Sequence, residues 1–178
     1  MKKLVYIMMI AVLAVSCSIG KTAEQKALES RVDSVAHIEA TKAMASGYFV
    51  VQTTSISDNY GHLMTGLSPD ANFVLVQNDK GMLQVAPMRA DMGLNGLGGI
   101  TLHGYMRDVD LKVPDTPLGE VSMKYMLVGA DVNATIFITL HKGSDMATVT
   151  AIPTLGSGTM TMRGRLVPYR DDNLNIQP

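Results

Sequence analysis

The sequence holds one cysteine in 178 residues, no tryptophan and almost no net charge. A single thiol cannot close an intramolecular disulfide, and it excludes a metal site made of thiolates alone. Fifteen basic side chains stand against sixteen acidic ones, a formal charge of -1. No cationic excess is therefore available to hold nucleic acid by its phosphates. Aromatic residues make up only 5 % of the chain, which disfavours a stacking surface for bases or sugars. Internal repeats and low-complexity tracts are also missing. What is present fits one domain, long enough to bury about 70 % of the surface of its unfolded chain.

The first sixteen residues have the layout of a processing signal. Lys2 and Lys3 precede an apolar run from Leu4 to Val15. A membrane-spanning helix needs about 20 such residues, so this run is too short to span and has the length of a signal-peptide core. It ends in Leu13-Ala14-Val15-Ser16-Cys17. Small residues before a cysteine at this place resemble the lipobox of bacterial lipoproteins, with Ala14 where Leu is more usual. The resemblance implies that residues 1–16 are removed and that Cys17 is acylated. The mature chain would keep thirteen basic and sixteen acidic side chains, a net charge of -3. Ser18, rather than Asp, follows the cysteine, and no acidic cluster comes after it. That pattern resembles sorting to the outer membrane, on its periplasmic face. The expected partner is thus the membrane itself, through the lipid.

Residues 17–21 read as a tether. Thr22 has the chemistry of an N-cap, and Gln25 completes a capping box. Leu28, Val32 and Val35 recur at helical spacing, and Gly47 supplies a stop. A helix over residues 22–46 is expected, packed by its second half or lying loosely between anchor and domain. From Tyr48 the period changes to two. Strands are expected at Tyr48–Thr54, Ala71–Gln77, Met82–Ala86, Ile100–His103, Arg107–Val113, Val121–Val128, Ala134–His141, Met146–Ile152 and Thr159–Val167. Gly81 is placed at the left-handed position of a hairpin turn after Gln77. Val109, Leu111 and Val113 are assigned to one face, with Asp108 and Asp110 pointing outward. No helical pattern separates the strands, which excludes βαβ units. The expected fold is mostly β: an antiparallel meander closed as a barrel or sandwich over residues 47–168, preceded by one N-terminal helix. Residues 169–178 are polar and read as a loose tail.

The search for chemistry returns little. The segment Asp91–Gly99 is glycine-dense but lacks the third glycine of a dinucleotide fingerprint and the helix that would follow it. As a binding loop it would offer Arg89, Asp91, Gly96, Gly98, Gly99 and nearby His103. The four histidines, His37, His62, His103 and His141, form no close pair and read as exposed. An enzyme assembled only by the fold would draw on Arg89, Asp91, His103 and His141. Met160 and Met162 share a strand face, where thioethers suit Cu(I) but more often fill a core short of aromatics. No GxSxG elbow is present. No catalytic residue, metal or cofactor is indicated.

The order of segments resembles one known family. After the lipobox and helix come Ser46-Gly47-Tyr48-Phe49-Val50-Val51, then Leu67-Ser68-Pro69-Asp70-Ala71-Asn72-Phe73-Val74, Gly98-Gly99-Ile100-Thr101 and Gly164-Arg165-Leu166-Val167-Pro168. This layout, from about Gln25 to Pro168, resembles the Bacteroidetes lipoproteins called domain of unknown function 4251. Members often carry an aromatic Leu-Pro-Tyr-like segment, where this chain has Ala86-Pro87-Met88. The resemblance implies an envelope address and an all-β fold, and no catalytic residues. The expected role is a non-enzymatic binding or interaction domain for an envelope protein or a small apolar ligand, the latter carried in a barrel cavity.

Overall fold

The computed structural model describes residues 22–86, 100–155 and 158–170. The chain divides into two units, Met1–Val32 and Asp33–Pro178, and the break falls inside the helix. In the first unit the capping box is made from both sides. Thr22 Oγ1 accepts the Gln25 N–H at 3.2 Å, and Gln25 Oε1 accepts the Thr22 N–H at 3.0 Å. These bonds satisfy donors that no earlier turn can reach, and fix the start of α1 (Ala23–Ser46). No helix among the described residues is long and apolar enough to cross a membrane.

The second unit is an antiparallel barrel. Its strands are β1 (Tyr48–Asp58), β2 (Leu63–Thr65), β3 (Phe73–Gln77), β4 (Lys80–Val85), β5 (Ile100–Lys112), β6 (Val121–Gly129), β7 (Asn133–Leu140), β8 (Met146–Pro153) and β9 (Met160–Pro168). Each strand from β3 to β9 pairs with the next, and β1 pairs with both β3 and β9. The eight long strands therefore close on themselves, which resolves the barrel-or-sandwich alternative in favour of the barrel. Short β2 pairs with the far half of β1, from Ser55↔Thr65 to Ser57↔Leu63. Closure removes the free edges that an open sheet would present.

The seam of the barrel needs a glycine. Thr53 lies opposite Gly164, and the register then shifts so that Ser55 lies opposite Arg163. A Cβ on Gly164 would overlap the Gln52 carbonyl. The bulge and the glycine together let β1 bend onto β9.

Alternation sorts most side chains between the interior and the outside. Phe49, Val51, Val74, Val76, Tyr125, Leu127, Ile136, Ile138, Leu140, Val149, Met162 and Leu166 fill the interior. Val50, Phe73 and Leu75 form a smaller cluster with Met82, Val167 and Tyr169. Tyr169 is thus packed against the barrel rather than loose, and its N–H donates to the Tyr48 carbonyl at 3.2 Å. Residues 171–178 of the expected tail lie outside the described residues.

Four local expectations are corrected. The left-handed residue after Gln77 is Asn78, at φ 58°, not Gly81, which pairs with Val76 inside the β3–β4 ladder. Asparagine tolerates this conformation by local hydrogen bonding. The expected strands Ile100–His103 and Arg107–Val113 are one strand with a bulge. Asp108 takes φ 53°, and the pairing with β6 shifts between Arg107 and Asp110. The extra residue breaks the alternation, so Val109, inside the bulge, is exposed while Leu111 still packs on the core, and Val113 is exposed because the strand ends at Lys112. Strand β2 was not anticipated, because three residues carry too little period to register.

The fourth correction concerns α1. Val35, on the apolar stripe expected to pack, is exposed, whereas His37, Ala40, Ala43 and Met44 are buried. The packed face is nearly opposite that stripe, since two residues of helix turn the chain by about 200°. Small Ala40 and Ala43 let the helix backbone approach the barrel closely. His37, expected to be exposed, is fully buried, and its Nδ1–H donates to the Ser144 carbonyl at 2.8 Å. Ser144 lies in the β7–β8 turn, so this bond ties the helix to one end of the barrel. Gly47, at φ 74°, ends the helix and turns the chain into β1.

Candidate functional site

Among the described residues, the opposite end of the barrel is left open. Strand β7 runs from Asn133 at that end to Leu140 beside the helix, a rise of about 23 Å at strand geometry. Its inward residues grade along the way: Ala134, Ile136, Ile138, Leu140. On β8 Ala151 and Pro153 face the same space, Ala151 opposite Ile136 and Pro153 opposite Ala134. The short side chains of Ala134 and Ala151 leave volume unfilled. The result is a cavity of about 460 Å³. Ile56, Met64, Leu83, Val85, Ile100 and Leu102 line it with Ala134, Ala151 and Met160. This is the size and chemistry of a small-molecule pocket in a protein. Small eight-stranded barrels are either filled by side chains or hold one small ligand, and this one is filled at one end and hollow at the other.

Polar groups gather at the cavity mouth. Asp58, Asn59, Tyr60 and His62, from the β1–β2 turn, form one side of it, and Thr101, Asp131 and Thr159 contribute elsewhere. The turn is tied by its own carboxylate. Asp58 Oδ1 accepts the N–H groups of Tyr60 and His62, both at 2.9 Å, and Oδ2 accepts the His62 ring N–H at 2.7 Å. Partial loss of water pushes the Asp58 carboxyl up. The hydrogen bonds from the His62 ring and from the His62 and Tyr60 N–H groups, with the attraction of the His62 charge, outweigh it. The carboxyl is therefore held below its ordinary value. The lining also carries exposed apolar surface, with Tyr60 75 % exposed and Val132 exposed; Leu63, next to His62 in the chain, and Leu155, two residues past Pro153, are exposed as well.

The residues anticipated from sequence are placed as follows. His103 is exposed on β5 and belongs to the cavity wall beside Leu102. His141 lies past the far end of β7, where its Nε2 pairs with Thr148 Oγ1 at 2.8 Å. The fold does not bring these two histidines together. Arg89, Asp91, Gly96, Gly98, Gly99 and Cys17 lie outside the described residues. Met160 lines the cavity and Met162 is buried in the core. Among the described residues, no three His, Cys, Asp or Glu side chains gather to hold a metal. The sequence reading missed Asp58, His62, Asp131 and the two alanines. Asp58-Asn59-Tyr60-Gly61 carried the available signal, since Asp, Asn and Gly in succession mark a tight turn.

Fold and site define a class: a closed antiparallel barrel, plugged by a helix at one end and opening into an apolar cavity at the other. The family model named domain of unknown function DUF4251 matches residues 32–166, and the chain belongs to that family. A crystal structure of a DUF4251 family protein from Bacteroides eggerthii is similar, at 32 % identity and a TM-score of 0.66. The match covers 78 % of this chain and 91 % of that one. No curated protein matches the chain.

Proposed function

We propose that this chain is a lipid-anchored envelope protein that holds a small apolar ligand in the open end of its barrel. The cavity of about 460 Å³ carries the reading. An empty apolar space of that size costs a barrel contact energy that larger side chains at 134 and 151 would recover. Retaining it is readily explained by a ligand. The Leu4–Cys17 segment supports the address: an outer-membrane anchor at Cys17 on the periplasmic side. Several acyl chains on Cys17 would hold firmly, at about 0.8 kcal/mol for each buried CH₂.

Two experiments test this reading. Ala134→Phe fills the mouth of the cavity while leaving the helix end untouched. Apolar molecules that copurify with the wild-type protein, read by mass spectrometry of an organic extract, should be lost from the variant. Equal recovery from both would remove the cavity from the account. For the address, Cys17→Ala should move the protein from the membrane to the soluble fraction, and retention at wild-type levels would refute the anchor.

A second reading is favoured by the rim. Exposed Tyr60, Leu63, Val132 and Leu155 would suit docking of an envelope protein. Crosslinking in the native envelope separates the two. A docked partner would be lost in Leu155→Asp and kept in Ala134→Phe, whereas a cavity ligand responds in the reverse order.

A further inference from the structure

The shape of the ligand follows from the floor and walls of the cavity, and so rests on the reading that a ligand occupies it. The floor lies at Gly81 on β4. A Cβ there would meet Leu127 Cδ1 at 3.0 Å and Met106 Cγ at 3.4 Å, so those side chains close the interior at this level. The next inward residues on β7, β8 and β9 are Ile136, Val149 and Met162, which are fully buried and do not border the cavity. Above Gly81, β4 lines the space with Leu83 and Val85. From Gly81 to Val85 is about 13 Å of strand and, at the usual tilt of a barrel strand, about 10 Å of depth. Spread over that depth, 460 Å³ gives a section about 7 Å across.

We infer that the barrel takes a compact cyclic hydrocarbon body, about two fused rings in width, in preference to an extended acyl chain. Carbons in contact sit about 4 Å apart, so a straight chain against one wall leaves a gap at the other and forfeits contact there. A chain that coils to fill the gap must order each of its bonds. A rigid ring system meets both walls without that ordering. The wall chemistry agrees. Met64 lies opposite Ile56 and Met160 opposite Asp58, so β2 and β9 bring a thioether to the cavity from either side of β1. Thioethers adapt to an irregular edge and make favourable contacts with aromatic rings. Floor and section are set by the strands, whatever covers the mouth.

Two neutral alcohols of equal carbon count test the inference on the full chain carrying Cys17→Ala, so that no attached lipid competes. Decahydronaphthol is a fused ring pair and decanol a chain. Each carries one hydroxyl, so charge at the mouth does not enter. Both would displace the fluorescent probe N-phenylnaphthylamine, and each affinity would be divided by the alcohol's own octanol partition coefficient to remove the difference in hydrophobicity. The ring should then compete at least about fivefold better than the chain. Ala151→Leu narrows the section and should shrink that gap by weakening the ring more than the chain. Ala134→Leu does the same from β7 and keeps the test intact if the first variant folds poorly. A ring advantage under about fivefold, or a gap unchanged in both variants, would overturn the shape selection and leave the cavity reading standing. Failure of the probe and of both alcohols to bind would overturn the cavity reading itself.

Discussion

The two ends of the barrel are built by the same strands and are finished in opposite ways. At the helix end Ala40, Ala43 and Met44 are buried in one core cluster with Phe49, Leu140 and Leu166. At the open end the short side chains of Ala134 and Ala151 line a cavity. The polar groups divide likewise. Buried His37 is tied to Ser144 at the helix end, while Asp58 and His62 form a hydrogen-bonded, largely exposed turn at the mouth. One end serves stability, and the other gives up packing to keep a space.

The contrast is broken most directly by removing the same kind of bulk from each end. Leu140→Ala, fully buried at the helix end, should cost about 4–5 kcal/mol, because dense neighbours cannot collapse into the hole. Leu83→Ala, whose side chain already borders the cavity, should cost nearer 2 kcal/mol, since it has fewer contacts to lose. Urea unfolding of both variants checks the order. Equal losses would mean that the open end is as tightly packed as the closed one.

Adding bulk sharpens the contrast from the other side. Ala40→Leu must push α1 off the barrel and should cost about 1–3 kcal/mol. Ala151→Leu extends into empty space and should leave the unfolding midpoint unchanged or raised. A comparable loss in both would argue that the cavity closes up in solution.

The difference between the ends also governs what could be read from the sequence. Strands such as β7 announced themselves, because Ile136, Ile138 and Leu140 alternate with residues on the opposite face. The capping box at Thr22 and Gln25 was legible because its geometry is local. The packed face of α1 was not. Its exposed Val35 looks more like a core residue than its buried His37, and only the barrel end decides which face is covered. The cavity was hidden for a related reason. It consists of what Ala134 and Ala151 leave out, and two alanines in separate strands look ordinary until the barrel sets both against one cavity. Asp58 and His62 belong to a turn whose strand, β2, is three residues long. No periodicity could reveal it.

Between the two ends lies a polar group that neither uses. Tyr125 is fully buried in mid-barrel, and its hydroxyl has no hydrogen-bond partner among the described residues. Burial pushes its phenol well above the ordinary tyrosine value. The group stays protonated in the folded state, and stability should fall as pH rises past about 10, where the unfolded chain ionises. Tyr125→Phe removes an unpaired hydroxyl without opening a hole. It should be neutral or stabilising by about 1 kcal/mol, and it should flatten the alkaline loss. A clear destabilisation would show that the hydroxyl is bound, by water or by a ligand reaching down from the open end.

The smallest effect belongs to the mouth. Because the Asp58 carboxyl is held below its ordinary value of 3.8 in the folded chain, its contribution is fully present above that value and lost as pH falls through the lower, folded one. The bonds it would lose on protonation are those to Tyr60, His62 and the His62 ring. Asp58→Asn keeps one acceptor oxygen and cannot be neutralised further. Thermal unfolding followed from pH 6 downward should therefore separate the two proteins only above about pH 4. Below it the wild type should lose its small advantage and the curves should converge. The pair is exposed and screened, so salt should shrink the difference at every pH. Curves that run parallel to the lowest pH would mean that the turn is held by its backbone alone, with the carboxylate left to act on whatever enters the barrel.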